Sequence, residues 1–470
     1  MAWFSSALGM INGCLYYPIL IILLLGVGLY FTLRTGFLQG RLLKETIRIV
    51  KEKPEHAGSV SSFQALMVST ASRVGTGNIV GVANAICLGG YGAVFWMWVV
   101  AIVGGSSAFI ESTLAQIYKK RDENGGSYGG PSYYIETALK SRALGIVFAV
   151  SLILTYAVGF NMLAAYNLQT SFQLYEFYNP NVTPWIIGAV LALITGYCVL
   201  GGGKRIIKFT STLVPLMSII YILVSLIMLV VHIGLLPSIF VKIFQDAFNF
   251  KAIFGGIAGS CMVYGIKRGL YSNEAGIGSA PNAAAAADVS HPVKQGLVQM
   301  LSVFIDTVLI GSATAFMCLG SGIEPSAELA GAPYVQKALS VIMGNFGHYF
   351  ITFSLILFAF TTLLGNLFYV DSNLAYINGK TPSKTFMTIY RIFAAVIILF
   401  GAAQQQALAW DIGDFLMGVM ALINLPAILI LGKTAILALK DYEKQRKEGK
   451  DPVFHAKDIG IDTSNLDYWK

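Results

Sequence analysis

Arg73-Val74-Gly75-Thr76-Gly77-Asn78 interrupts the stretch 63–88, which is otherwise apolar. Two glycines, a threonine and an asparagine stand where a bilayer-crossing helix should be continuous. Backbone N–H and C=O groups left unpaired at membrane depth are costly, and the cost is tolerated only where protein or a polar cavity supplies partners. The stretch therefore predicts a helix broken around a ligand site, the device by which transporters present backbone groups to substrates and ions.

The rest of the chain supports a membrane setting. Hydrophobic residues make up 56% of it and charged residues 12%, against about 25% charged in an average soluble protein. Stretches of about 20 apolar residues are long enough to cross the hydrocarbon. About eleven occur, at 16–32, 63–88, 93–118, 145–174, 185–200, 209–234, 252–287, 296–319, 350–376, 386–400 and 415–436. The fold class is all-α integral membrane protein, one polytopic domain over 1–470. The first span is expected to be kept as a helix, since no Lys or Arg precedes it to form the basic start of a signal peptide. The five cysteines lie inside or beside spans without C-x-x-C spacing, which points to small packing residues rather than disulfides or a metal knuckle.

Lys and Arg concentrate in alternate connections. Arg34, Arg41, Lys44, Arg48, Lys51 and Lys53 follow the first span, Lys119 to Arg121 with Lys140 and Arg142 follow the third, and Lys204, Arg205 and Lys208 follow the fifth. Lys294, then Lys380 and Lys384, then the tail from Lys433 continue the series. Such a bias marks cytoplasmic loops, so the N-terminus is expected outside and the C-terminus inside. The net charge of +8 then reflects topology, and no nucleic-acid partner is expected.

Setting aside the first span as peripheral (16–32) leaves ten. The second and seventh spans, the two broken by glycines and polar residues, each open a set of five, which predicts inverted repeats over 63–234 and 252–436 and a cytoplasmic tail over 437–470. The site is expected where the broken helices meet near the midplane. Glycines that merely let helices pack closely are the simpler alternative for any single position. In the second break, Ser272 and Asn273 are expected to cap a half-helix whose core is the alanine run 283–287. A helix N-terminus with free N–H groups suits a carboxylate, so an anionic or zwitterionic small substrate is expected.

The segments 69–83 (STASRVGTGNIVGVA), 92–98 (GAVFWMW), 129–135 (GGPSYYI), 272–281 (SNEAGIGSAP) and 291–296 (HPVKQG) resemble those of the alanine/glycine:cation symporter family, in order across roughly 63–436. The resemblance implies a prokaryotic plasma-membrane importer of small neutral amino acids, coupled to sodium or in some members to protons. It also implies the five-plus-five inverted-repeat fold of amino acid–polyamine–cation transporters. By the same resemblance, backbone groups at Gly75, Thr76 and Gly77 hold the substrate carboxylate, and Asn78 places an oxygen on an ion beside it. The carbonyls of Ala71 and Val74, with the hydroxyls of Thr361 and Thr362, match a second ion position. Hard oxygen donors of this kind suit sodium, although threonines in helices also bond back to their own carbonyls.

Arg73 lies beside the break, where an unpaired guanidinium is expensive. Glu274 is the first expected partner, with Glu111 and Asp306 as others, and an Arg73–Glu274 pair is expected either to gate the inner side or to fix helix register. Lys267 and Arg268 are expected to snorkel to the cytoplasmic side. Where many family members carry Gln, Trp and His, this chain has Ala164, Asn366 and Ala284. Asn161, Ala164 and Asn366 are therefore expected to line a wider, more polar pocket. An enzyme is not indicated, because the five His are dispersed without H-E-x-x-H or paired-carboxylate patterns. An ion channel also uses polar breaks and stays open as an alternative.

Overall fold

A computed structural model describes residues 2–123, 125–249 and 260–470. Helices dominate it: α1 (Trp3–Arg34), α2 (Ser62–Arg73), α3 (Gly77–Gly89), α4 (Ala93–Ile117), α5 (Arg142–Thr170), α6 (Thr183–Val199), α7 (Gly202–Val231), α8 (Leu236–Ala247), α9 (Cys261–Asn273), α10 (Pro281–Ala286), α11 (Pro292–Gly320), α12 (Ala332–Met343), α13 (Asn345–Asn378), α14 (Lys384–Ala402) and α15 (Gln406–Lys447). Among the described residues eight of these are long and apolar enough to cross a membrane, and α3 and α6 are shorter apolar helices. The chain is a multi-pass membrane protein. The expected start of the seventh span and second repeat, at 252, lies outside the described residues.

Outward faces stay apolar and exposed, as with Leu216, Leu223 and Ile227 on α7 and Ile389 and Phe393 on α14. That is the surface lipid requires. Helix α1 begins earlier than the apolar run alone indicates and lies against α4 and α15. Thr32 donates to Ser106 at 3.1 Å, Asn12 to the Asp411 carbonyl at 2.9 Å and Tyr16 to the Asp414 carbonyl at 2.9 Å.

The interior is built from α2, α3, α9, α11 and α13. Ser61 and Gln64 form a reciprocal capping box that starts α2. Helix α2 stops at Arg73 and α3 restarts at Gly77 through a π-helical turn, Gly77–Gly81. A second π-turn, Phe304–Gly311 in α11, meets it. Such turns are frequent at functional sites. At one end α12 seats its buried face against the bundle, with Gln336 donating to the Ser171 carbonyl at 2.7 Å. Gly331, just before it, meets Val80 and Asn84.

The second break is longer than the first and is ended differently from expectation. Ser272 and Asn273 close the last turn of α9 and do not start the next half-helix, which begins at Pro281. Asn273 accepts from the Ala275 N–H at 3.0 Å, and Glu274, Gly276 and Gly278 take positive φ of 54°, 85° and 87°. This local Asx-turn competes with helix continuation, and the two glycines supply the left-handed conformations that follow.

Candidate functional site

At the first break, the Gly75 N–H donates to Asn78 Oδ1 at 3.0 Å. It is thereby withdrawn from the Ala71 carbonyl, its partner had the helix continued. Val74, which caps α2, has ψ 82° and so turns the chain out of helix. Thr362 Oγ1 lies against Gly75, where any Cβ would collide with it, and that hydroxyl is buried without a hydrogen-bond partner. Thr362 is thus brought to the first break at Gly75, directly after Val74.

Thr361 does not join them. Its hydroxyl donates to the Leu357 carbonyl at 2.9 Å and it lies 3.5 Å from Met217 Sδ. Consecutive residues on a helix point about 100° apart, so only one of the pair faces the break.

Asn78 also reaches α11. Its Nδ2 donates to Asp306 Oδ1 at 2.8 Å and to the Asp306 carbonyl at 2.9 Å. Ser272 and Thr307 donate to Asp306 Oδ2 at 2.7 and 2.6 Å. Asp306 is fully buried and, among the described residues, in no ion pair. Sequence reasoning weighed it only as a partner for Arg73. The readable signal was a lone carboxylate inside an apolar span.

Thr76 faces Tyr271, with hydroxyls 3.3 Å apart, and accepts from Asn167 at 3.1 Å. Phe160, Tyr271 and Trp410 form successive edge-to-face contacts at 5.0 and 5.1 Å, an aromatic wall beside Gly77 and Gly81. Asn161 and Asn366 meet each other: Asn366 Nδ2 donates to Asn161 Oδ1 at 3.0 Å, and Asn366 Oδ1 lies 2.8 Å from the Ser72 hydroxyl. Ala164 is buried one turn beyond Asn161 on α5.

The expected Arg73–Glu274 ion pair is absent. Arg73 donates through Nη1 to the Gln299 carbonyl at 3.1 Å, leaving Nε and Nη2 without hydrogen bonds, while Glu111, Glu274 and Asp306 lie within Coulombic range. Glu274 instead accepts from Ser72 at 2.9 Å and Ser279 at 2.7 Å, because the left-handed turn at its own backbone aims it back across the break. Glu111 accepts from the Gly276 N–H at 3.3 Å and from Asn424 at 2.8 Å. Asn424 also donates to the Gly276 carbonyl at 2.9 Å and accepts from Tyr134.

Lys267 and Arg268 do not snorkel. Arg268 pairs with Asp414 at 2.5 Å and covers the Trp410 ring at 4.0 Å; Lys267 lies 3.7 Å from the same carboxylate and 4.7 Å from the Tyr16 ring centre. Both are held where they stand by a carboxylate from α15.

The sodium:alanine symporter family profile matches residues 1–456. The probable sodium/glutamine symporter of Bacillus subtilis (strain 168) is 42% identical, covering 98% of this chain and 95% of its own. The sodium/alanine symporter of Methanococcus maripaludis is 37% identical, covering 94% and 98%. Among solved structures, MhsT in complex with L-phenylalanine matches with a TM-score of 0.56 at 15% identity, over 81% of this chain and 88% of that one, a likeness of fold.

Proposed function

Because the chain belongs to the sodium:alanine symporter family, we propose that it imports a small neutral amino acid with sodium by alternating access. The observation that carries this reading is the unpartnered Thr362 hydroxyl against the opened backbone of Ala71 to Gly75. Ala71 and Val74 carbonyls with Thr362 Oγ1 make one sodium position. Asn78, Ser272, Thr307 and Asp306 offer a second set of hard oxygens, with Asp306 supplying the negative charge that a cation in low dielectric needs. Sodium there is cargo, and its charge would offset that of the buried carboxylate.

The substrate carboxylate is assigned to the first-turn N–H groups around Thr76 and Gly77, which an α-helix leaves without internal acceptors. The aromatic wall and the Asn161–Asn366 pair bound the side-chain pocket, with Ala164 behind. Two asparagines in place of a purely apolar lining favour polar as well as aliphatic neutral side chains, and the resemblance to a probable glutamine symporter points the same way. Arg73, surrounded by three carboxylates, is the element whose partner changes as the inner side opens. Its pairing with Glu274 belongs to another stage of the cycle.

The Lys/Arg bias supports an N-terminus outside and a C-terminus inside the plasma membrane, and the breaks at α2/α3 and α9/α10 support two inverted repeats. Proteoliposome uptake tests the reading. Accumulation should saturate with amino acid and collapse when choline replaces sodium. Uptake unaffected by choline at fixed pH rejects sodium coupling in favour of protons, and non-saturable flux means a channel.

A further inference from the structure

The segment that follows α15 crosses back over the face bearing the Lys/Arg-rich connections. Leu466 is buried to 2% exposure, and Phe454 and Ala456 before it are buried as well. The Phe454 N–H donates to the Ser290 carbonyl at 3.0 Å, and the Ala456 N–H to the Trp469 carbonyl at 2.9 Å. Trp469 Nε1 donates to the Gln116 carbonyl at the end of α4 at 2.8 Å, and its ring packs beside Val60, Ala65, Ala287 and Val289. Lys119, buried on the same α4 end, points its ammonium at the rings of Tyr468 and Trp469, 4.7 and 5.3 Å away. Asp467 pairs with Lys120 at 3.1 Å and accepts from the Arg121 N–H at 3.0 Å.

Trp469 sits at φ 69°, a conformation disfavoured for a bulky residue and kept only where surroundings enforce it. The residues it packs on lie where the chain leading into α2 meets the end of α10. Val60, just before α2, pairs with the end of α10: the Asp288 N–H donates to the Val60 carbonyl at 2.9 Å. Gln116 and Lys119 hold the Ala287 carbonyl at 2.8 and 3.0 Å. Opening a path from the first break to this face requires α2 and α10 to separate here.

We propose that residues 452–470 form a strap that clamps the ends of α2, α4 and α10 together and must lift before this face opens. The proposal rests on alternating access as read above. Exposed ion pairs contribute little singly, so the anchor is Trp469 over Ala65 and Ala287, with Lys119 held under two rings and Asp467–Lys120 setting register.

The test reads opening directly. Ala65→Cys places a thiol in the cluster that Trp469 packs against, and its alkylation in purified protein, resolved from the five native cysteines by peptide mass spectrometry, reports lifting of the strap from the α2–α10 junction. Trp469→Ala, or deletion of 462–470, should raise that rate roughly tenfold. Asp467→Lys should raise it less, and adding Lys120→Asp should restore it. Unchanged alkylation in Trp469→Ala and in the deletion overturns the strap, as does failure of the charge swap to restore what Asp467→Lys loosens. Absence of sodium-driven uptake by the unaltered chain would instead reject the transport reading, so the two failures are distinguishable.

Discussion

The two breaks differ in how completely they satisfy themselves. The first is short: it leaves the Ala71 carbonyl without the Gly75 N–H and holds the Thr362 hydroxyl unpartnered against Gly75. The second runs from 274 to 280 and is closed by hydrogen bonds with Glu111, Asn424, Ser72 and Ser279, with the Asn273 amide at its edge left unpartnered. Buried polar groups are normally paired, and exceptions in a native fold call for a ligand, a water or a catalytic use. The first break is therefore read as the receptor for ions and substrate, and the second as a preset bend that keeps its half-helices in place. Asp306 joins them, taking hydrogen bonds from Asn78 in one and Ser272 at the edge of the other.

The sharpest way to break this contrast is Gly75→Ala. A Cβ there meets the Thr362 hydroxyl, and overpacking of this kind costs about 1–3 kcal/mol at the atoms assigned to sodium. Uptake should fall to background while the protein still purifies as a folded species. Substantial sodium-driven uptake by Gly75→Ala would show that the first break is not the receptor.

Asp306→Asn keeps the shape and removes the charge. Charged hydrogen-bonding groups contribute roughly 1.5–3 kcal/mol, so the half-saturating sodium concentration should rise by about 10- to 100-fold, measured as uptake against sodium at fixed amino acid. An unaltered sodium curve would return Asp306 to a structural role between α3 and α11. Thr362→Ala should shift the same curve less, by roughly 5- to 10-fold, the loss of about 1 kcal/mol from one neutral oxygen. Thr361→Ala should leave it in place, since that hydroxyl already bonds to its own helix. Equal shifts in both variants would mean that α13 rotates during the cycle.

Much of the interior was legible because membrane burial penalises every polar residue that lacks a reason to be there. Gly75-Thr76-Gly77-Asn78 and the SNEAGIGSAP run announce the breaks for that cause. What stayed hidden depends on side-chain direction. Composition alone does not say which of Thr361 and Thr362 faces Gly75, nor that the left-handed turn at Glu274 aims its carboxylate at Ser72 rather than Arg73. Arg268 likewise reads as a snorkelling cation until α15 brings Asp414 beside it. The tail offered no periodic signal, and its contacts to Gln116 and Ser290 are long-range.

Asn366 probes the pocket side of the first break. Asn366→Leu removes the bridge between Asn161 and Ser72 and one hydrogen-bonding amide, about 1 kcal/mol. Competition by polar neutral amino acids against labelled alanine should weaken several-fold relative to aliphatic ones. An identical inhibition profile would place residue 366 outside the pocket.

The smallest effect lies where the second break reaches its exit. His291 caps α11: its Nδ1 accepts from the Val293 N–H at 3.2 Å, so the ring proton resides on Nε2, 3.2 Å from Asp441 Oδ2. Burial pushes its pKa below the usual 6.5, and the neighbouring Asp441 offsets only part of that. The unfolded chain then binds a proton more readily than the folded one, so the stabilisation is complete above about pH 6.5 and is lost as pH falls below it. Protonation at Nδ1 would also remove the cap. Thermal unfolding of the wild type should drop between pH 7 and pH 5 by about 1–2 °C more than that of His291→Asn, which keeps a capping oxygen and does not titrate. Parallel pH curves for the two proteins would show that His291 takes up its proton equally in the folded and the unfolded chain, and would remove burial as the factor that holds its ring neutral.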